Sequence, residues 1–154
     1  MTKTILAIDD EPRVRALLDV VLEEAGFAVD EAGDGVEALE RIRTRPPDLC
    51  VLDVMMPEMD GWEVLRRLRE DLATADLPVV MLTAKGDPRA RLRGWELGCD
   101  AYIPKPFEPP EIVDEIMAVL LRSPEERRAL REKQTVAARA IVGTDGNRRR
   151  IGRG

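Results

Sequence analysis

The sequence predicts one α/β domain, a five-stranded parallel sheet with helices on both faces, followed by a helical extension. Two observations support this. Five short apolar runs alternate with segments of helical periodicity through residue 121, and Gly, Pro or Asp bounds the runs, as is typical of buried parallel strands. Strand–helix alternation of this kind places helices on both faces of a parallel sheet. The length of 154 residues also suits a single domain with a short appendage.

The apolar runs predict strands over residues 4–8, 28–31, 49–52, 77–82 and 101–103. The first helix is expected between Pro12 and Gly26, since proline is favoured at the first helical position and glycine just past the end. Its apolar face is predicted to contain Val14, Leu17, Leu18, Val21 and Ala25. Four further helices are predicted over residues 36–43, 62–71, 88–98 and 110–121.

The chain after residue 121 differs in composition from the chain before it. Residues 1–121 contain 14 Lys and Arg against 26 Asp and Glu, a net charge of −12, whereas residues 122–154 have a net charge of +6. A capping box at residues 123–126 predicts a sixth helix to about residue 141, with a weak apolar stripe of Leu130, Ala137 and Ile141. We therefore predict a domain over 1–121, a helical extension over 122–142 and a disordered basic tail over 143–154. Three positions of the sixth helix remain open: its basic side chains fold back onto the acidic domain, they bind a partner, or the helix makes no contact.

Composition excludes several functions. The chain has no histidine, which excludes Ser-His-Asp catalysis, His-ligated zinc and phosphohistidine chemistry on this chain. The absence of a Gly-rich turn after the first strand excludes an ordinary dinucleotide-binding domain. No secretory signal or membrane span is apparent, and the two cysteines suit a reducing compartment, so we expect a cytoplasmic protein with no membrane partner.

Polar residues follow the predicted strands at their C-terminal ends. Asp9 and Asp10 follow the first strand, Asp53 the third, Thr83 the fourth, and Lys105 lies just past the fifth. Ligands of open α/β sheets bind beyond these ends, so the side chains should converge on one edge. Three carboxylates together require a cation, and oxygen ligands favour Mg²⁺. An aspartate in such a site can act as a nucleophile and form an aspartyl phosphate.

The motifs around these residues resemble those of response-regulator receiver domains, over residues 3 to about 121. They lie at residues 8–12 (IDDEP), 51–61 (VLDVMMPEMDG), 80–84 (VMLTA) and 98–107 (GCDAYIPKPF). Four such motifs in the right order are highly specific. The resemblance implies the flavodoxin-like receiver fold, with sheet order 2-1-3-4-5, and a stand-alone, chemotaxis-regulator-like receiver in a two-component system.

The resemblance also implies a role for each site residue. Asp53 would be the phosphoacceptor, and Mg²⁺ would bind Asp9, Asp10, Asp53 and the backbone carbonyl of Met55. Thr83, Ala84 and Lys105 would surround the phosphoryl group, and Thr83 with Tyr102 would form the switch. The Lys105–Pro106 bond would be cis, which an X–Pro bond adopts at modest cost. Apart from phosphorylation and dephosphorylation of its own Asp53, no enzymatic activity is expected.

Histidine kinases or phosphotransfer proteins would be the phosphoryl donors, and a downstream protein would receive the signal. Two alternatives remain open: the chain is the receiver fragment of a larger regulator, or its basic tail binds nucleic acid. The tail arginines lack interleaved aromatics, so specific nucleic-acid binding is not expected. A phosphatase with an aspartyl nucleophile is disfavoured, because Asp9 and Asp10 are adjacent and no cap insertion is present.

One departure from the family pattern concerns dimerisation. Related receivers of winged-helix transcription factors commonly pair an arginine of the fifth helix with acidic residues near the fifth strand. Glu115 stands about where that arginine would be, and Ala101 follows Asp100 where a second acid is frequent. We therefore expect a monomer or a weak, phosphorylation-dependent dimer.

Overall fold

The computed structural model describes the backbone of residues 2–151 and the side chains of residues 2–144. Five strands form one parallel sheet in the order β2-β1-β3-β4-β5, which confirms the expected fold. The strands are β1 (Thr4–Ile8), β2 (Ala28–Ala32), β3 (Leu49–Leu52), β4 (Val79–Thr83) and β5 (Ala101–Pro104). The predicted fourth strand began two residues too early, because Pro78 precedes the first residue of β4.

Helices α1 to α5 alternate with the strands, as the periodicity predicts. They are α1 (Pro12–Glu24), α2 (Gly35–Thr44), α3 (Gly61–Glu70), α4 (Pro88–Leu97) and α5 (Pro109–Leu121). Aspartates cap three of them: Asp34, Asp60 and Asp87 each accept a hydrogen bond from the backbone N–H three residues later. These caps place the helix starts within about one residue of the prediction.

Two apolar clusters lie on opposite faces of the sheet. One contains buried residues of α1 and α5, including Leu18, Leu22 and Ile116, and the other contains buried residues of α2, α3 and α4. Leu17, expected in the buried face of α1, is instead 46% exposed, because the helix turns Leu18 and Leu22 towards the sheet. The helices therefore enclose the sheet from both sides and leave the ends of the strands open.

Helix α6 (Pro124–Ile151) is longer than predicted. The backbone is helical over residues 143–151, where a disordered tail was predicted; residues 152–154 lie outside the described part of the chain. Once a helix is nucleated, each added residue contributes a hydrogen bond at little further cost, and the capping box at Ser123 starts this one.

The predicted apolar stripe of α6 is also wrong. Ala137 and Ile141 are exposed, whereas Arg127 and Ala138 are buried. Helix α6 therefore packs through a face that contains arginines, and it contacts the acidic domain. Among the described residues, no helix combines the length and the apolar character needed to cross a membrane.

Candidate functional site

The register of the sheet brings the acidic residues together. Ile8 of β1 pairs with Leu52 of β3, so the next residues, Asp9 and Asp53, leave neighbouring strands side by side. The backbone N–H of Asp53 donates to the Ile8 carbonyl at 3.0 Å, which holds the two chain segments together beyond the strand ends. Carboxylate oxygens of Asp9, Asp10 and Asp53 all lie within 4.8 Å of one another.

Lys105 completes this cluster from the end of β5. Its Nζ donates to Asp9 Oδ2 at 2.7 Å and lies 3.6 Å from Asp53 Oδ2. The Lys105–Pro106 peptide bond is cis. Burial alone would lower the pKa of Lys105, but the hydrogen bond with Asp9 and the charges of Asp53 and Asp9 outweigh it and raise the pKa. The lysine is therefore a stable cation in contact with two carboxylates.

Asp53 is 5% exposed, and its Oδ1 has no hydrogen-bond partner. Burial raises the pKa of this carboxyl above its ordinary value; Lys105 opposes the shift and Asp9 adds to it. The Met55 backbone and the Thr83 hydroxyl lie near enough to favour the charged form. A buried, unpartnered carboxylate oxygen is costly unless it has a further ligand to contact.

The remaining predicted residues surround this cluster in different environments. Asp10, Met55 and Ala84 are exposed, whereas Thr83, the last residue of β4, is fully buried. The Thr83 hydroxyl accepts a hydrogen bond from the Lys85 backbone N–H at 3.2 Å. Asp10 can therefore contact a ligand from the solvent side of the site, whereas Thr83 lies on its buried side.

Tyr102 lies inward and is 7% exposed. Its hydroxyl donates to the Lys85 carbonyl, and its ring stacks on Trp62 with centroids 6.5 Å apart. Burial raises the pKa of Tyr102. Since Thr83 Oγ1 and Tyr102 both bond to the backbone of Lys85, the residue after Ala84 links the two members of the predicted switch.

Three residues that position the site were missed from the sequence. Arg15 donates from Nη1 to the Asp9 carbonyl at 2.6 Å, and a Cβ on Gly61 would collide with the Asp53 carbonyl oxygen. Trp62 stacks on Tyr102. Gly61 directly follows a capping Asp60, which is a detectable signal, but Arg15 and Trp62 carry no local pattern that distinguishes them from ordinary helix residues.

The chemistry of the donor set fits a hard divalent cation. Three carboxylates and one lysine leave a negative excess, the ligand atoms are oxygens, and one of these oxygens is buried without a partner. Mg²⁺ prefers carboxylate and carbonyl oxygens and retains several waters, which the exposed side near Asp10 and Met55 allows. The arrangement can hold a cation and present one Asp53 oxygen to an incoming group.

Comparison with known proteins identifies a family model, the response regulator receiver domain, that matches residues 5–117. The phosphate regulon transcriptional regulatory protein PhoB of Pseudomonas aeruginosa is 46% identical over 121 residues, which are 79% of this chain and 53% of that protein. The transcriptional regulatory protein ResD of Bacillus subtilis is 48% identical over 119 residues, 77% of this chain and 48% of its own length. The chain thus spans about half the length of these curated relatives.

Solved structures give the same assignment. The chemotaxis response regulator CheY4 of Vibrio cholerae superposes with a TM-score of 0.73 at 30% sequence identity. The match covers 77% of this chain and 99% of that one. The matched region is thus close in extent to one complete receiver domain.

Proposed function

This chain belongs to the response regulator receiver family, and we propose that it accepts a phosphoryl group on Asp53 from a histidine kinase or phosphotransfer protein. The observation that carries the proposal is the environment of Asp53. Its Oδ1 is buried without a partner, its Oδ2 lies 3.6 Å from the Lys105 ammonium, and its carboxylate clusters with those of Asp9 and Asp10. Such an oxygen is free to bond to phosphorus, while the surrounding charges suit the phosphoryl oxygens.

Mg²⁺ would be held by Asp9, Asp10, Asp53 and the Met55 carbonyl. When bound, it would supply positive charge that offsets the negative charge of the carboxylates and of the phosphoryl group. The remaining positive charge is the chain's own. Lys105 already contacts Asp9 and lies 3.6 Å from Asp53 Oδ2, so a small movement of Nζ brings it to a phosphoryl oxygen.

In the transfer, an Asp53 carboxylate oxygen bonds to the phosphorus of a phosphohistidine, and the phosphorus–nitrogen bond breaks. The electron pair of that bond returns to the imidazole of the donor. Lys105 and the Thr83 hydroxyl hold the phosphoryl oxygens, and the small side chain of Ala84 leaves them room. Water later hydrolyses the acyl phosphate, which restores the Asp53 carboxylate and releases inorganic phosphate.

The output is proposed to be a change in protein–protein contacts. When Thr83 moves towards the phosphoryl group, Tyr102 is held inward, and α4, β5 and α5 change the surface they present. We propose a cytoplasmic protein, monomeric or weakly dimeric when phosphorylated. The named relatives are transcriptional regulators that are about twice as long as the matched region, so that region corresponds to the half of a regulator that receives the signal.

Intact mass spectrometry tests the proposal directly. The chain is incubated with Mg²⁺ and acetyl phosphate, beside the Asp53→Asn variant, which keeps the size of the side chain but removes the nucleophile. The expected result is one added phosphoryl group in the wild type and none in Asp53→Asn. Equal masses for the two proteins, after incubation with a cognate kinase as well, would overturn the assignment.

A further inference from the structure

A buried ion cluster around Asp100 connects three elements of the molecule. The Asp100 side chain is 1% exposed, and it accepts Arg69 Nη2 at 3.1 Å and Arg127 Nη1 at 3.2 Å. Arg131 Nε lies 3.2 Å from the same carboxylate. Arg127 and Arg131 belong to α6, and Arg69 belongs to α3. Charged contacts, rather than an apolar seam, therefore attach the start of α6 to the domain.

Helix α6 then runs along the C-terminal half of α4. A groove between them is lined by Trp95 and Gly98 on one side and by Arg131 and Thr135 on the other. Farther along, Arg139 Nε lies 3.3 Å from Glu96 Oε1, and Ala138 is 7% exposed. The position of α6 therefore depends on the position of α4.

The same α4 packs against the switch residue Tyr102. A Cβ on Gly94 would lie 2.7 Å from Tyr102 Cδ2, so the helix and the ring are in close contact. The Arg91 guanidinium lies over the ring, 5.8 Å from its centroid. Helix α4 thus has Tyr102 on one side and α6 on the other, and a shift of α4 changes both contacts.

The α6 contact is not balanced in charge. Three guanidiniums share one carboxylate, and Arg131 Nε and Nη2 are buried without a hydrogen bond. If α6 leaves, Asp100 keeps Arg69 and the Val79 backbone N–H, which donates to it at 2.9 Å. Undocking of α6 therefore leaves no uncompensated charge at Asp100 and is compatible with a folded domain.

We propose that docking of α6 on α4 and phosphoryl binding at Asp53 stabilise the same conformation, the one with Tyr102 inward. The inference rests on the proposed function of Asp53. The docked helix is present together with the inward ring, and α4 is in contact with both. By linkage, the ligand that favours the inward ring tightens the docking of α6 by the same factor by which docking tightens the ligand. A substitution that loosens α6 therefore weakens the ligand, at most by that factor.

Hydrogen exchange on the full chain tests this coupling, with Mg²⁺ and beryllofluoride as the phosphoryl analogue. Peptides that cover residues 80–106 report on the site, and peptides that cover 124–142 report on α6. The expected result is slower exchange in both regions when the analogue is added. Arg127→Ala should speed exchange of α6 about tenfold and raise the analogue concentration for half-protection of the site about fivefold.

Arg128→Ala is the matched control. Arg128 lies on the same turn of α6, is 53% exposed and pairs with the exposed Asp76, so its removal should leave both readouts unchanged. Two results would overturn the coupling and leave the proposed function in place. One is protection of the site with no change in the exchange of α6. The other is an Arg127→Ala variant that needs the same analogue concentration for half-protection of the site as the wild type. No response in either region would overturn the proposed function and this inference together.

Discussion

At the scale of single residues, the site depends on close approaches that only small residues allow. Gly61 lies against the Asp53 carbonyl, and Gly94 lies against the Tyr102 ring. Both glycines open space beside a residue with a proposed role, and Gly94 lies in a helix interior, where glycine is unfavourable by about 1 kcal/mol relative to alanine. Their presence is therefore explained by packing rather than by helix propensity.

Gly94→Ala should destabilise the protein by about 1–3 kcal/mol, because the added Cβ overlaps the Tyr102 ring. The same change in a Tyr102→Ala background should be neutral or stabilising, since the ring is gone and alanine favours the helix. Urea denaturation of the four proteins measures the coupling energy. An equal effect of Gly94→Ala in both backgrounds would show that the ring and the helix are not in contact.

At the scale of elements, α6 differs from the other helices in how it is attached. Helices α1 to α5 bury apolar residues against the sheet, whereas α6 buries Arg127 and contacts Asp100 through Arg127 and Arg131. Burial lowers the pKa of the Arg69 guanidinium to about 10; Asp100 opposes this, and the neighbouring Arg131 and Arg127 contribute to it. The attachment of α6 therefore concentrates positive charge in one place and is less robust than an apolar interface.

Removal of residues 123–154 should leave a cooperatively folding domain that is less stable by about 1.5–3 kcal/mol, the range for hydrogen bonds to charged groups. The apolar clusters on the two faces of the sheet are unchanged, and Asp100 keeps its contact with Arg69. Removal of residues 145–154 alone is the control and should have little effect. Loss of a cooperative urea transition in the larger deletion would mean that α6 is part of the core.

At the scale of the whole molecule, charge is distributed unevenly. The acidic first part holds a cluster of three carboxylates at one end of the sheet, and the basic extension packs near Asp100 and Asp76, which precede β5 and β4. Since parallel strands all end at the same edge, the two charged regions lie at opposite ends of the sheet. The basic helix therefore does not relieve repulsion in the acidic cluster, whose own positive charge is Lys105.

Mg²⁺ should raise the melting temperature, since a ligand at about 100 times its dissociation constant adds about 2.7 kcal/mol to stability. Without Mg²⁺, Asp53→Asn should melt higher than the wild type, because it removes a buried carboxylate whose pKa burial has raised. On adding Mg²⁺, the melting temperature of Asp53→Asn should rise less than that of the wild type. Differential scanning calorimetry measures both effects, and equal Mg²⁺ shifts in the two proteins would exclude Asp53 as a ligand.

Much of this molecule follows from the sequence alone. The apolar runs specify the strands, the caps and prolines specify the helix starts, and strand–helix alternation specifies a parallel sheet. Because such a sheet brings the ends of its strands to one edge, the sequence is enough to place Asp9, Asp53 and Lys105 together. These features are local, or they follow from the order of local elements along the chain, so short stretches of sequence are enough to predict them.

Only the tertiary structure determined the length and attachment of α6, the inward position of Tyr102 and the roles of Arg15 and Trp62. The partners of Asp100 lie 27 residues after it and 31 residues before it, and periodicity within one helix carries no information at that separation. An arginine on a helix is ordinarily solvated, so the pattern alone could not show that Arg127 is buried. It is buried because a single buried carboxylate in another element supplies the charge that makes its burial favourable.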